Sequence, residues 1–454
     1  MSELRPNPSP FLAGNYAPVA EEQTLTDLEV IGTIPDSLDG RFIRNGPNPL
    51  DDPDPATYHW FTGNGMVHGV RLRDGRAEWY RNRIVRGPAA TELLGEDPVP
   101  GPEHEMFRGG SNTNVIGHAG STWAIVEAGG HPFRLNDELD TEAADPFGGT
   151  LEGPFTAHPK RDPDTGELHA ICYSPFIGEI VHYVVVGVDG KVRKTVEVPV
   201  GGLPMMHDCG LTESKVIVLD LPCVFDMDLA MQERFPYSWS EDYPARMGLL
   251  DREADYGSDV LWFDVDPCYV FHPLNAYDLP GGGVVLDAVR HPKVFASNLN
   301  GPNEGGPTLS RWTFDPSSGK ATEELLDDRP QEFPRMDERI LGKPHRFGYG
   351  AAFIPEDTGV AHGDAVKHDL VGGTSEIHDY GEGRKTLEPV FVPASDDSAE
   401  DDGYVMSYVY DATTDTTDIV ILHAQDFTGE PVATVKLPTR VPYGFHGNWV
   451  PTGQ

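Results

Sequence analysis

Residues 155–174 read FTAHPKRDPDTGELHAICYS, two strand-like arms joined by a turn at Asp164-Thr165-Gly166. This hairpin pattern recurs along the chain. The runs Thr122–Val126, Glu179–Val188, Lys215–Asp220, Val284–Val289, Tyr404–Tyr410, Asp418–His423 and Val432–Leu437 are short and rich in β-branched and aromatic residues. Turns such as VDG, PGGG and DPSSG separate them. Fifty glycines and forty-one prolines suit such a chain, because tight turns need either positive φ or a φ fixed near −65°. The reading is all-β. A sustained 3.6-residue period is rare, and LAMQERFPYSW at 229–239 is the best candidate for a helix.

Outward from the hairpin, 454 residues exceed what one ordinary core accommodates, yet no stretch looks like a linker. The chain is therefore two fused domains or one large repetitive fold. Its 34 basic and 73 acidic residues give a formal charge of −39, which repels nucleic acid and anionic membrane surfaces alike. Neither is an expected electrostatic partner. Arginine outnumbers lysine, and so acidic a surface would suit a high-salt cytoplasm that screens its self-repulsion. MSELRPNPSP shows no basic region followed by an apolar run, so a cytoplasmic location is expected. Apolar runs such as Val184–Val186 fall far short of the ~20 residues of a membrane span. Cysteines 172, 209, 223 and 268 form no CxxC pair and read as buried reduced thiols.

Two local patterns carry no chemistry. DPDTG resembles the start of a calcium loop but lacks the closing glutamate, and GNGMVHG at 63–69 has a G-x-G without a following helix. Among the seventeen histidines, four behave alike: His158 in FTAHPK, His207 in PMMHDCG, His272 in VFHPLNAYD and His446 in PYGFHGNW. Each stands where a strand would start or stop, preceded by apolar or small residues and followed by Pro, Asp or Gly. Their separations are 207 − 158 = 49, 272 − 207 = 65 and 446 − 272 = 174, the last being three steps of 58. Periods of this size match propeller blades, and seven blades of about 65 residues would use the whole chain. In a propeller the innermost strands line one axis, so side chains at their ends converge. Four imidazoles gathered there would bind a metal. By spacing alone, capping or core roles remain an equal alternative.

The segments GRFIRNGPNP at 40–49, HWFTGNGMVHGVRL at 59–72 and the final PYGFHGNWV resemble the carotenoid cleavage oxygenases, and the likeness covers nearly the whole chain. The resemblance implies one seven-bladed β-propeller domain over residues 1–454, capped by loops and a few helices. It implies Fe(II) on the axis, held by His158, His207, His272 and His446. It further implies three glutamates, Glu127, Glu332 and Glu400, each accepting the outer N–H of a ligand ring. Such partners fix ring tautomer and orientation. Four neutral imidazoles leave iron its full charge and two open octahedral positions, unlike the commoner two-histidine, one-carboxylate set. The implied reaction is oxidative scission of an alkene by dioxygen into two carbonyl compounds. His446 then sits near the end because the last segment closes the ring, with Gly444 and Gly447 allowing close backbone approach and Tyr443, Phe445 and Trp449 walling the site.

Stilbene-cleaving members grip a phenol with a lysine before the first glutamate and a tyrosine upstream. Here Val126 and Phe107 stand in that neighbourhood, and the resemblance also places Phe61 in the pocket. An apolar grip favours a carotenoid or apocarotenoid, with stilbenes and vinyl or propenyl phenols as the alternative. Such a substrate partitions into membranes, so transient peripheral membrane contact is expected, with 222–239 as the candidate segment. A non-catalytic propeller and a retinyl-ester isomerohydrolase are the remaining rivals. The oligomeric state is not legible.

Overall fold

The computed structural model describes residues 9–104, 108–301, 304–352 and 363–453. Its strands form seven sheets of four to six strands, arranged as the blades of a propeller, plus one two-stranded ribbon. Every hairpin expected from sequence is present. The quoted one pairs Lys160–Arg161 with Leu168–Cys172, and the Asp162 carboxylate accepts the Asp164 and Thr165 N–H groups in its turn. DPDTG is an ordinary turn.

The two ends of the chain close the ring twice. Gly447–Pro451 pairs antiparallel with Gly40–Pro47 and becomes the end strand of the first blade. Glu29–Gly32 pairs with Ala433–Leu437 and becomes the end strand of the seventh. The close approach explains two glycines. A Cβ on Gly444 would lie 2.6 Å from the Asn45 carbonyl oxygen, and one on Gly447 would lie 2.8 Å from that of Ile43.

Apolar surface is buried between blades rather than within one. Phe42, Val70 and Tyr80 of the first blade pack against Tyr408, Ile419 and Val435 of the seventh. Strands enclosed by neighbours on both faces, such as Lys215–Asp220, are therefore buried almost throughout. Outermost strands alternate, as Val192–Pro199 does, because one face meets water. All four cysteines are buried and free, as expected.

The segment 229–239 departs from its reading. Only Met227–Met231 is helical, with Asp226 as the cap accepting from the Asp228 and Leu229 N–H groups. Glu233 then turns to φ 57° and Pro236 cannot donate within a helix, so the chain reverses. Tyr237–Trp239 pairs with Cys223–Phe225. The 3.6-residue pattern belongs to a hairpin whose tip is one helical turn.

Candidate metal centre

Each of the four histidines stands one to three residues before the first strand of a blade: His158 before Lys160–Arg161, His207 before Gly210–Leu211, His272 before Pro273–Asp278 and His446 before Gly447–Pro451. These strands sit at the ends of their sheets and face the axis. All four rings are buried, and one nitrogen from each lies within 4.8 Å of the others. The sequence separations thus become a spatial cluster.

Three rings are held from behind. His207 Nδ1 lies 2.9 Å from both carboxylate oxygens of Glu127. His272 Nδ1 lies 2.6 Å from Glu332 Oε2, and His446 Nδ1 lies 3.0 Å from Glu388 Oε1. His158 Nδ1 faces Asp208 Oδ2 at 3.6 Å, beyond hydrogen-bond reach, and Asp208 is itself held by Lys160 Nζ at 2.8 Å. Three carboxylates therefore fix three rings as Nδ1–H tautomers, turning each Nε2 lone pair inward.

This geometry calls for a cation. His207 Nε2 and His272 Nε2 lie only 3.2 Å apart, two lone pairs facing each other once both Nδ1 atoms donate. His158 Nε2 is buried with no hydrogen-bond partner. Burial, together with the neighbouring His446, His207 and His272, pushes the His158 imidazole well below its ordinary value. Burial likewise takes His446 down to about 4, against the opposing pull of Glu388. For His207 burial is outweighed by Glu127, which raises its pKa. A metal ion satisfies all four nitrogens where a proton satisfies one, so the donor set fits.

The carboxylates carry further donors. Tyr173 O–H donates to Glu127 Oε2 at 2.9 Å. His291 Nε2 lies 2.8 Å from Glu332 Oε1. The Arg335 guanidinium lies 3.1 Å from Glu388 Oε1, and the Gly447 N–H donates to Oε2 at 2.7 Å. Although burial would raise both carboxyls, Arg335 and His446 hold Glu388 at about 2, and His272 with His291 holds Glu332 far below the usual range. The backbone bends to achieve this. Ala128 and Phe333, each directly after a carboxylate, sit at φ 63° and 55°, and the Gln331–Arg335 strand bulges between Glu332 and Arg335.

Glu400 is not among these partners. Its carboxylate accepts the Arg346 and Phe347 N–H groups at 2.7 Å, in a half-buried loop outside the ring of histidines. Glu388 takes the expected place behind His446. Its sequence signal is isolation: TLEPVFV holds one acid among apolar residues, as AIVEAGG and QEFPRM do, whereas Glu400 lies in the acidic run SDDSAEDDG.

A cavity of about 350 Å³ opens onto three of the four rings, those of His207, His272 and His446, and is lined by Trp60, Phe61, Val126, Phe271, Phe333 and Phe445 among others. Phe61 and Val126 line this cavity, while Phe107 lies outside the described residues. Phe445 joins the wall, but Tyr443 packs behind it with Tyr16, and Trp449 packs against the core between the first and seventh blades. Among the described lining residues there is no lysine or arginine.

The family model described as retinal pigment epithelial membrane protein matches residues 16–451. A carotenoid cleavage oxygenase of Mycobacterium tuberculosis is 46% identical, with 98% of each chain covered. A carotenoid 9,10(9′,10′)-cleavage dioxygenase of Arabidopsis thaliana is 33% identical, over 98% of this chain and 90% of its own. The solved lignostilbene dioxygenase of Pseudomonas brassicacearum superposes with a TM-score of 0.88 at 28% identity, with 98% of both chains covered. The cobalt-substituted apocarotenoid oxygenase of Synechocystis does so with 0.84 at 27% identity, over 96% of this chain and 97% of its own.

Proposed function

We propose, because the chain belongs to the retinal pigment epithelial membrane protein family, that of the carotenoid cleavage oxygenases, that it is a non-haem Fe(II) dioxygenase cleaving one C=C bond of a carotenoid or apocarotenoid. The observation that carries this is a cluster of four buried imidazoles, three of which line an apolar cavity. Bound by His158, His207, His272 and His446, iron(II) supplies dioxygen activation beside the alkene. Both oxygen atoms end in the products, so one C=C bond becomes two C=O bonds and no outside reductant is consumed.

The protein's own groups prepare that event. Glu127, Glu332 and Glu388 hold three ligand rings by Nδ1 and keep Nε2 of each aimed at the centre. With Arg335, the three carboxylates carry a formal charge of −2, which a divalent cation neutralises. Phe61, Phe271, Phe333 and Phe445 exclude water and offer an apolar bed to a polyene. The double closure of the ring supports reading residues 1–454 as one domain.

Substrate entry follows from exposure. Met227 and Met231 at the hairpin tip are exposed, as is Phe176 on the cavity wall, which supports transient contact with an apolar surface where substrate resides. Among the described residues no helix is long and apolar enough to cross a membrane. The structural likeness to a lignostilbene dioxygenase favours a second reading, aryl-alkene cleavage. The test is product mass after incubating Fe(II)-loaded protein under labelled dioxygen with an apocarotenal, a hydroxystilbene and a vinyl phenol. Two labelled carbonyl fragments from the apocarotenal support the first reading. Aldehydes from the phenols alone support the second, and no cleavage of any of them refutes both.

A further inference from the structure

His291 lies at the junction of substrate cavity and metal centre. It follows the strand Val284–Arg290, which pairs with the strand that begins after His272, and the Val289 N–H donates to the His272 carbonyl at 3.1 Å. A backbone bridge to Tyr269, with bonds of 2.9 and 2.8 Å, fixes its main chain. The buried ring forms part of the cavity wall and packs edge-on against Phe271, centroids 5.1 Å apart. Phe271 in turn meets the His207 ring edge-on at 5.1 Å.

From the wall the ring reaches Glu332. This carboxylate has two oxygens, and an imidazole takes each: His272 on Oε2 at 2.6 Å, where the Phe333 N–H also donates, and His291 alone among the described donors on Oε1 at 2.8 Å. Held at one oxygen, a carboxylate pivots about its last torsion, which is a soft one. Held at both, it is locked, and so is the plane of the ring it orients. Losing the His291 donor would also leave a buried anionic oxygen short of a partner.

We propose that His291 is a positioning residue that couples occupancy of the cavity to the orientation of His272 through Glu332. A molecule filling the cavity bears on the His291 ring, and the shared carboxylate passes that displacement to a metal ligand. The argument rests on the reading of the four histidines as a metal centre.

The test uses the full-length protein loaded with Co(II), whose high-spin electron paramagnetic resonance reports ligand geometry. His291→Phe keeps the ring but removes the donor, and His291→Gln restores an N–H near Nε2. Wild type should bind Co(II) and change its spectrum when a long-chain apocarotenal is added. His291→Phe should bind Co(II) roughly tenfold more weakly, the low end for losing an outer partner of a ligand, and its spectrum should no longer respond to the apocarotenal. His291→Gln should recover both properties. Should the Phe variant not fold, His291→Leu serves as the non-donor. Unchanged affinity and an unchanged response in the non-donor would overturn the proposal, as would failure of Gln to restore them. Absence of Co(II) binding in wild type would instead overturn the metal centre itself.

Discussion

Glu388→Gln and Glu400→Gln together give the sharpest test of the site. Glu388 is fully buried and accepts from His446, Gly447 and Arg335. Glutamine keeps its shape but removes the charge facing Arg335 and sets an NH₂ against one of three donors. Holding the Glu388 carboxyl at about 2 rather than 4.5 corresponds to about 3 kcal/mol, at about 1.4 kcal/mol per tenfold. Removing one partner of a buried ion pair independently suggests ~3–5 kcal/mol, and the low end applies because Arg335 also contacts Glu338. Metal affinity should fall by 10- to 100-fold as His446 loses its anchor. Among the described residues Glu400 accepts two backbone N–H groups at a loop, so its amide should cost about 1 kcal/mol and leave metal binding intact. The assays are denaturant unfolding of metal-free protein and Co(II) affinity by chelator competition. Loss of metal in Glu400→Gln with retention in Glu388→Gln would refute the assignment.

Other outcomes follow from the same geometry. His207→Ala should abolish metal binding at neutral pH, since the site keeps three of its four nitrogens and Glu127 keeps Tyr173 but loses the ring it orients; full occupancy by elemental analysis would contradict the ligand role. The stability that Glu388 contributes should be complete above its ordinary pKa and fade as pH falls from about 4.5 toward 2, because its carboxyl is depressed in the folded state. Acid titration should accordingly show the gap between wild type and Glu388→Gln closing below about pH 4.5. Gly444→Ala drives a Cβ to 2.6 Å from a backbone oxygen at the ring closure, and its unfolding midpoint should drop by an amount comparable to a core overpacking change, about 1–3 kcal/mol. Phe61→Ala should leave metal binding unchanged while raising KM for an apocarotenal, which steady-state kinetics would read.

The strands were legible because their signal is local. Lys215–Asp220 matches its sequence run residue for residue, and the other runs differ by a residue or two at their ends. Local signals also misled. The segment 229–239 has a helical pattern, but Pro236 and the pairing of Tyr237–Trp239 with Cys223–Phe225 override it. Glu400 sat in a loop rich in acids, where position along the chain offered several equivalent candidates and only burial separates them.

By itself the sequence determined the all-β class, through alternating strands and glycine- and proline-rich turns, and singled out four histidines at strand boundaries, because strand starts are punctuated by residues whose backbone preferences are local. Only the tertiary structure decided which acids stand behind those histidines. His446 and Glu388 are 58 residues apart, His207 and Glu127 80 apart. Whether such groups meet depends on how seven blades close around one axis, a sum of inter-blade packing that no single stretch encodes.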